Sequence, residues 1–259
     1  MYQTITKLVQ AIKEQRPLIL NITNLVTMDF IANGLLSLGA SPMMANSTTE
    51  MDDLVKISNS VVINLGTLHE EFIALCHKAG IAANGFGKPL ILDPVGAGAS
   101  HYRTATCLDL LEQHQFSIIR GNASEIMALC GSLDNTKGVD ATISPELAIE
   151  QAKQFSLDKN IVIAISGKTD VIIAGNQMAI CDRGSSLMPL ITGSGCLLTA
   201  VIAAFHAVHT NLFEATAAAI TFYGVCGETA AAKATGPGTF KIHFLDALSQ
   251  LPQRENDDK

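Results

Sequence analysis

Positive charge is scarce in this sequence, and no run of lysine and arginine occurs in its 259 residues. The formal net charge is −7 and only 16% of the residues are charged, so the basic footprint typical of a nucleic-acid-binding protein is missing. Apolar residues make up 48% of the chain, enough to bury one large core, and α/β folds of this length are often single domains. We therefore expect one domain over residues 1–259 that binds a small molecule and no nucleic acid.

Long apolar runs and paired cysteines are also missing. The most apolar stretch, residues 197–208, spans about 12 residues and contains His206, whereas a membrane helix needs roughly 20. Residues 1–17 mix Lys, Gln and Glu into their apolar positions and so lack the core of a signal peptide. The six cysteines and seven histidines show no CxxC pair and no zinc-ligand spacing. These features predict a cytoplasmic protein with reduced thiols and no membrane partner.

The common nucleotide-binding motifs are absent as well. No GxGxxG follows the first predicted strand. Gly167, Lys168 and Thr169 resemble the end of a P-loop, but Val162 stands where its first glycine is required. Rossmann dehydrogenases and P-loop kinases are therefore disfavoured.

Short runs rich in Ile, Val and Leu alternate with longer amphipathic segments. Such runs are typical of strands buried on both faces, and the alternation predicts an α/β fold with a central, mostly parallel sheet and helices on both faces. A hairpin with Gly175 and Asn176 at its turn is expected to extend the sheet. The predicted strands are 18–22, 61–65, 90–93, 118–120 and 161–166, with hairpin strands 171–174 and 178–181. The predicted helices are 26–38, 69–84, 102–113, 146–155, 196–209, 212–234 and 240–251, before a frayed tail at 253–259.

Polar residues cluster at the ends of the predicted strands, where open α/β sheets bind their ligands. They are Asn21, Asn24, Asp93, Arg120, Asn122, Glu125 and Ser166. Asp93 suits a Mg²⁺ ion held through water, although an aspartate before Pro94 is also a common turn or cap residue. Asn122 and Glu125 lie three residues apart at a helix start, where a capping box explains them equally well. Arg120 must pair with a carboxylate or a phosphate.

The segment Thr192–Cys196 contains two glycines directly before a long apolar helix. Such a turn presents several backbone N–H groups at a helix N-terminus, a geometry that binds anions and can stabilise charge on a transferring phosphoryl group. An ordinary glycine-rich helix start remains an equal alternative on geometry alone.

Taken together, these segments resemble the hydroxyethylthiazole kinase family, a branch of the ribokinase-like kinases. The resemblance is carried, in order along the chain, by Asn21–Asn24, Phe30–Leu35, Leu38–Pro42, Asn64–Thr67, Asp93–Val95, Arg120–Ile126, Lys137–Asp140, Thr192–Cys196 and Gly236–Phe240. It implies a ribokinase-like three-layer fold. It also implies ATP-dependent phosphorylation of the primary hydroxyl of 4-methyl-5-(2-hydroxyethyl)thiazole, a salvage step for thiamine biosynthesis.

The resemblance further implies a homotrimer with thiazole pockets at subunit interfaces and an ATP site formed largely by the C-terminal half. By position, Asn24, Met44 and the backbone of Gly193 fall among the thiazole contacts. Arg120 and Ser166 fall at the nucleotide. Asp93 and Glu125 match the acidic positions associated with Mg²⁺ and its waters, with Asn122 close by on the cofactor side.

Cys196 is the residue of most interest, because ribokinase-like kinases more widely end this glycine turn with an Asp that acts as base. Phosphoryl transfer depends mainly on positioning and charge stabilisation, so a weak base suffices, and a helix N-terminus is expected to lower the thiol pKa. We hypothesise that Cys196 accepts the hydroxyl proton late in transfer. Two departures stand out: Ser166 replaces a frequent Thr, and Lys168 replaces a frequent acidic residue.

Two other functions remain as alternatives. A related enzyme of the same fold, such as a hydroxymethylpyrimidine or pyridoxal kinase, is disfavoured by Cys196 and by the Asn24 and Met44 regions. A non-catalytic nucleotide-sensing protein is disfavoured because mere binding does not require both Asp93 and Glu125 beside a complete glycine turn.

Overall fold

The computed structural model describes residues 2–131 and 145–251. The motif Lys137–Asp140 and the tail from Gln253 lie outside these residues. The strands are β1 (Leu18–Ile22), β2 (Ser41–Met44), β3 (Ser60–Asn64), β4 (Leu90–Asp93), β5 (Ile118–Asn122), β6 (Val162–Ser166), β7 (Asp170–Ala174) and β8 (Gln177–Cys181). The helices are α1 (Tyr2–Gln15), α2 (Met28–Leu38), α3 (Met51–Ile57), α4 (Glu70–Gly85), α5 (His101–Gln113), α6 (Ala123–Leu129), α7 (Pro145–Lys159), α8 (Ser194–His206), α9 (Leu212–Ala231) and α10 (Pro237–Leu248), with a 3-10 turn at Met188–Leu190.

All eight strands form one sheet in the order β2-β1-β3-β4-β5-β6-β7-β8. The pairs from β2 to β6 are parallel, whereas β6–β7 and β7–β8 are antiparallel. The predicted hairpin is confirmed, and Gly175 at its turn has φ 57°, a left-handed conformation that favours glycine.

Alternate residues of each central strand enter two separate cores. In β4, Ile91 packs with α1, α2, α8, α9 and α10, whereas Leu90 and Leu92 pack with α3, α4, α5, α6 and α7. A strand buried on both faces needs apolar side chains at successive positions. The central strands could therefore be predicted from the short apolar runs in the sequence. The predicted three-layer α/β architecture is confirmed.

Three elements have no counterpart in the sequence-based prediction, namely α1, β2 and α3, and of α6 only the start was predicted. The β2 strand is the sheet edge, its four residues are only half-buried, and it contains Pro42. An edge strand needs neither a continuous apolar run nor every backbone N–H, so the apolar pattern did not reveal it. Among the described residues, no helix is both long and apolar enough to cross a membrane.

Candidate active site

The carboxyl ends of the parallel strands bring the predicted polar residues to one edge of the sheet. In the strand register Asn64 lies beside Asp93, and Asn122 lies beside Ser166. Helix α8 begins above this edge, because the hydroxyl of its Thr199 reaches Asp93. The site is therefore built from strand ends and one helix start.

Asp93 is the centre of this arrangement. Its side chain is 1% exposed, and its Oδ2 accepts hydrogen bonds from Asn64 Nδ2 (2.7 Å) and Thr199 Oγ1 (2.8 Å). Arg120 Nη1 lies 4.0 Å from the same oxygen. Burial raises the pKa of the Asp93 carboxyl, and Arg120 and Thr199 only partly offset the rise. A cation placed near Asp93 therefore stabilises its ionised form.

A chain of hydrogen bonds connects Asp93 to Cys196. Asn64 Oδ1 accepts from Asn24 Nδ2 at 2.8 Å, and the same Nδ2 lies 3.4 Å from Cys196 Sγ. Asn24 Oδ1 accepts from the backbone N–H groups of Val26 and Thr27, so its amide orientation is fixed. We call Asp93, Asn64, Thr199, Asn24 and Cys196 the Asp93 network.

The expectation that the helix N-terminus lowers the pKa of the Cys196 thiol is wrong. Burial raises the pKa of this thiol, and the carboxylate of Asp93 raises it further, against smaller lowering effects of hydrogen bonds and of Arg120. The cost of desolvating a thiolate outweighs the favourable helix end here. Cys196 is therefore a protonated thiol near neutral pH.

The turn before α8 is specific for glycine. Gly193 has φ 89°, and a Cβ there would lie 2.8 Å from Thr27 Cγ2. A Cβ on Gly195 would lie 2.7 Å from Arg120 Nη1, so the guanidinium packs directly against the first turn of α8. The first amide groups of a helix have no intrahelical acceptor and carry partial positive charge. Arg120 and the start of α8 thus form one electropositive surface.

Arg120 retains hydrogen-bonding capacity. Its Nη2 donates to Ser166 Oγ, its side chain is 12% exposed, and its buried Nε has no hydrogen-bond partner among the described residues. An unpaired buried donor is costly, and the contact with Asp93 is long. The guanidinium is therefore fixed in place with donors to spare, as an anion site requires.

The structure contains the capping box that was an alternative explanation for Asn122 and Glu125. Asn122 Oδ1 accepts from Glu125 N (2.9 Å), and Glu125 Oε2 accepts from Asn122 N (2.8 Å). Glu125 Oε1 also accepts from Gly96 N at 2.9 Å, which ties the turn after β4 to the turn after β5. Each oxygen of Glu125 keeps a free lone pair for a water molecule.

A cleft of about 650 Å³ opens beside Arg120, and we call it the Arg120 cleft. Its lining includes Ser166, Gly167 and Lys168 from the β6–β7 turn, Ser194 and Gly195 from α8, and Tyr223 from α9. A further side is formed by residues of the stretch 182–191 between β8 and α8, which we call the wall segment.

Five of the predicted site residues fall into two groups. Arg120 and Ser166 line the Arg120 cleft, whereas Asn24, Asp93 and Cys196 belong to the Asp93 network. Met44 ends β2 opposite Asn21 in the register and packs on the same core as Cys196.

Sequence reasoning missed several residues of the Asp93 network and of the cleft lining as individual candidates: Asn64, Thr199, Tyr223 and Arg183. Asn64 ends a strand as Asp93 does, so the strand-end rule was sufficient to find it. Tyr223 donates its hydroxyl to Ser194 O at 2.6 Å, a contact between distant helices that no local pattern signals. No three acidic, histidine or cysteine side chains among the described residues could together hold a metal ion.

The fold and site define a class of protein. The structure is similar to that of a ribokinase-like superfamily protein from Enterococcus faecalis (TM-score 0.67, 13% identity, covering 92% of this chain and 87% of that chain). At this identity the likeness concerns the fold alone, and it identifies a ribokinase-like α/β fold.

The family follows from the sequence matches. The profile of the hydroxyethylthiazole kinase family matches residues 9–254. Hydroxyethylthiazole kinases from Leptospira biflexa and Desulfotalea psychrophila are 45% and 43% identical, each over 93% of this chain and over 91% and 89% of their own lengths. The structure of a hydroxyethylthiazole kinase protein from Pyrococcus horikoshii is 35% identical with a TM-score of 0.87, covering 95% of this chain and 93% of that chain. This chain belongs to the hydroxyethylthiazole kinase family, and it is a kinase.

Proposed function

We propose that this kinase transfers the γ-phosphate of ATP to the primary hydroxyl of 4-methyl-5-(2-hydroxyethyl)thiazole, a salvage step for thiamine biosynthesis. Family membership supports the substrate. The observation that carries the chemistry is the placement of Arg120 and the start of α8 against the buried Asp93 network. This arrangement puts an anion-binding surface directly beside a polar chain that ends in Cys196.

We assign the nucleotide to the Arg120 cleft. Arg120 and Ser166 hold its phosphates, together with backbone amides at the start of α8. Asn122 supports this edge through the α6 cap. Lys168 lies in the same cleft and is exposed, so its replacement of an acidic residue adds a cation where phosphate charge is bound.

We assign Mg²⁺ to the space between Asp93 and Glu125. Asp93 is a carboxylate whose pKa is raised by burial more than Arg120 and its hydrogen bonds lower it, and Glu125 retains lone pairs after its two backbone bonds. Because Mg²⁺ keeps several waters and binds through one or two carboxylates and phosphates, a site without three protein ligands fits it. When bound, Mg²⁺ neutralises charge on the transferring phosphoryl group.

We assign the thiazole to Asn24 and Cys196 of the Asp93 network, together with Met44 and the backbone of Gly193. Asn24 holds the Cys196 thiol in place through its Nδ2. In its thiolate form, Cys196 accepts the hydroxyl proton late in transfer, when the γ-phosphoryl group has largely left ADP and its charge is bound by Arg120 and α8. The raised thiol pKa makes a thiolate scarce but strongly basic.

We also propose a cytoplasmic homotrimer of one-domain subunits with the acceptor pocket at the interface. Leu25 and Val26 follow Asn24 directly and are 65% and 70% exposed, so apolar surface borders the site. All six cysteines are free thiols, which suits a reducing compartment.

Analytical ultracentrifugation should give a trimer. The double variant Leu25→Ser/Val26→Thr should dissociate it and lose activity, whereas Ile81→Ser, an equally exposed apolar position on α4, should not. A monomeric parent protein would refute the proposed homotrimer.

Turnover tests the reaction itself. The purified protein is incubated with Mg-ATP and the thiazole, with hydroxymethylpyrimidine and pyridoxal in parallel, and product is identified by mass. Rapid phosphorylation of the thiazole alone is expected. Turnover of another alcohol alone would refute the substrate, and nucleotide binding without any turnover would favour a sensing protein.

A further inference from the structure

One carboxylate on α9, Glu228, receives several donors from the wall segment. Arg183 Nε donates to Oε1 and Oε2 (2.9 and 3.0 Å), Arg183 Nη2 donates to Oε2, and the backbone N–H of Gly184 donates to Oε1 at 2.9 Å. Charge-assisted contacts with a guanidinium fork are stronger and more directional than single neutral bonds. Glu228 therefore fixes both a side chain and the backbone at the start of the wall segment.

Next to the pair of Glu228 and Arg183, the surface of α9 allows the wall segment to pack closely against the helix. A Cβ on Gly224 would lie 2.7 Å from Arg183 Cβ and 2.8 Å from the Arg183 carbonyl, and a Cβ on Gly227 would lie 2.6 Å from Met188 Sδ. Gly224, Gly227 and Glu228 are spaced by three and four residues and share one helix face. The wall segment thus packs against α9 at two glycines and is held there by one carboxylate.

The wall segment has a direct part in the Arg120 cleft. Arg183, Gly184, Met188 and Pro189 line the cleft, next to the apolar Leu198 and Ile220. The segment contains no strand or α-helix, only turns such as the one closed by Met188 N and Ser185 O. Its end leads into the glycine turn at the start of α8. The width of the cleft therefore depends on where the wall segment is held.

We infer that Glu228 is a positioning residue for the nucleotide: through Arg183 and Gly184 it holds the wall segment in the conformation that receives ATP. The inference rests on the proposal that the Arg120 cleft binds ATP. A segment that is ordered in advance spares the ligand the entropic cost of ordering it. Without the Glu228 carboxylate, the nucleotide must order the segment when it binds, so its affinity is lower. The rate of phosphoryl transfer between bound substrates is unchanged.

The test uses Glu228→Gln, Arg183→Gln and the double variant in the full-length protein. Binding of Mg-ADP is measured by calorimetry without acceptor, and KM and kcat are measured with ATP and thiazole. Each single variant should raise the ADP dissociation constant and KM for ATP roughly tenfold, the value of one charge-assisted hydrogen bond. Both kcat and KM for the thiazole should stay within about twofold of the parent. The double variant should be no worse than either single, because the two side chains act as a unit.

Glu150→Gln is the matched control, because it breaks an exposed ion pair with Lys153 on α7 and should change none of these values. If Glu228→Gln does not fold, Arg183→Lys keeps the cation without the fork and should give an intermediate ADP affinity. A lower Tm with unchanged ADP affinity would reduce Glu228 to a structural role and overturn the inference. A fall in kcat in Arg183→Gln that Glu228→Gln does not share would also overturn it, since Arg183 would then touch the nucleotide itself. Because ADP binding needs no acceptor, a parent that binds ADP without phosphorylating the thiazole would refute the proposed function but not this inference.

Discussion

The pH dependence of kcat tests whether Cys196 accepts the hydroxyl proton. An ordinary cysteine, with a pKa of about 8.5, is roughly 3% thiolate at pH 7, and burial raises the pKa of Cys196 above the usual range. If the thiolate is required, the active fraction increases about tenfold per pH unit throughout the range below the thiol pKa. Between about pH 6.5 and 8.5, kcat should therefore rise by roughly two orders of magnitude.

The assay follows ADP release at saturating ATP and thiazole across this range, for the parent and for Cys196→Ser and Cys196→Ala. Both variants should lose the rise with pH and fall below the parent at high pH, while KM for ATP is maintained. Cys130→Ala serves as the control, since Cys130 is another half-buried thiol whose pKa burial raises to about 11, at the end of α6. A flat profile in the parent, or full kcat in Cys196→Ala at every pH, would refute proton transfer to the thiol and leave it a positional role.

Four further outcomes follow from the same geometry. Asp93→Asn should lower kcat by ~100-fold or more, because the carboxylate that we assign to Mg²⁺ is lost, and with it the stabilisation of phosphoryl charge. The same variant should raise Tm, because the amide oxygen can accept both hydrogen bonds without the cost of burying a charge, and a lower Tm would contradict this. Gly195→Ala should raise KM for ATP, since its Cβ would meet Arg120; an unchanged KM in steady-state kinetics would show that the guanidinium is not needed there. Lys168→Glu should raise KM for ATP, and the increase should be smaller at high salt. A KM equal to that of the parent at every salt concentration would show that the lysine does not interact with the nucleotide. Burial lowers the pKa of His206 to about 4, below its value of about 6.5 in the unfolded chain. The free energy of unfolding should therefore be highest above pH 6.5 and should decrease by up to about 3 kcal/mol as the pH falls towards 4. Denaturant unfolding at several pH values should show this decrease in the parent and less of it in His206→Gln.

Apart from the hairpin, the strands that the sequence revealed are those buried on both faces. Strands β1, β3, β4, β5 and β6 are covered on both faces, so their side chains must be apolar at successive positions. The sheet edge at β2 is half-buried, and for that reason its pattern carried no comparable signal. The helix bounds differed from prediction by a few residues, as at α8, which begins at Ser194 rather than Cys196, because caps depend on backbone angles that periodicity does not encode.

For the site, strand ends identified Asp93, Arg120 and Ser166 because the carboxyl ends of parallel strands necessarily meet at one edge. The sequence could not decide between a capping box and a metal ligand for Glu125. The structure shows the capping box, and because each carboxylate oxygen has two lone pairs the two roles are compatible. The pKa of Cys196 was predicted in the wrong direction, since the sequence shows that a helix starts there but not how deeply the thiol is buried.

By itself, the amino-acid sequence determined the α/β class, the sheet of parallel strands, the family and the neighbourhood of the site, because these depend on local periodicity and on motifs that are contiguous in the chain. Only the tertiary structure decided which side chains share hydrogen bonds: Asn24 with Cys196, Thr199 with Asp93, and Arg183 with Glu228. These partners are 172, 106 and 45 residues apart. Their meeting depends on how the helices pack across the sheet, and so do the burial and charge that set the chemistry of each group.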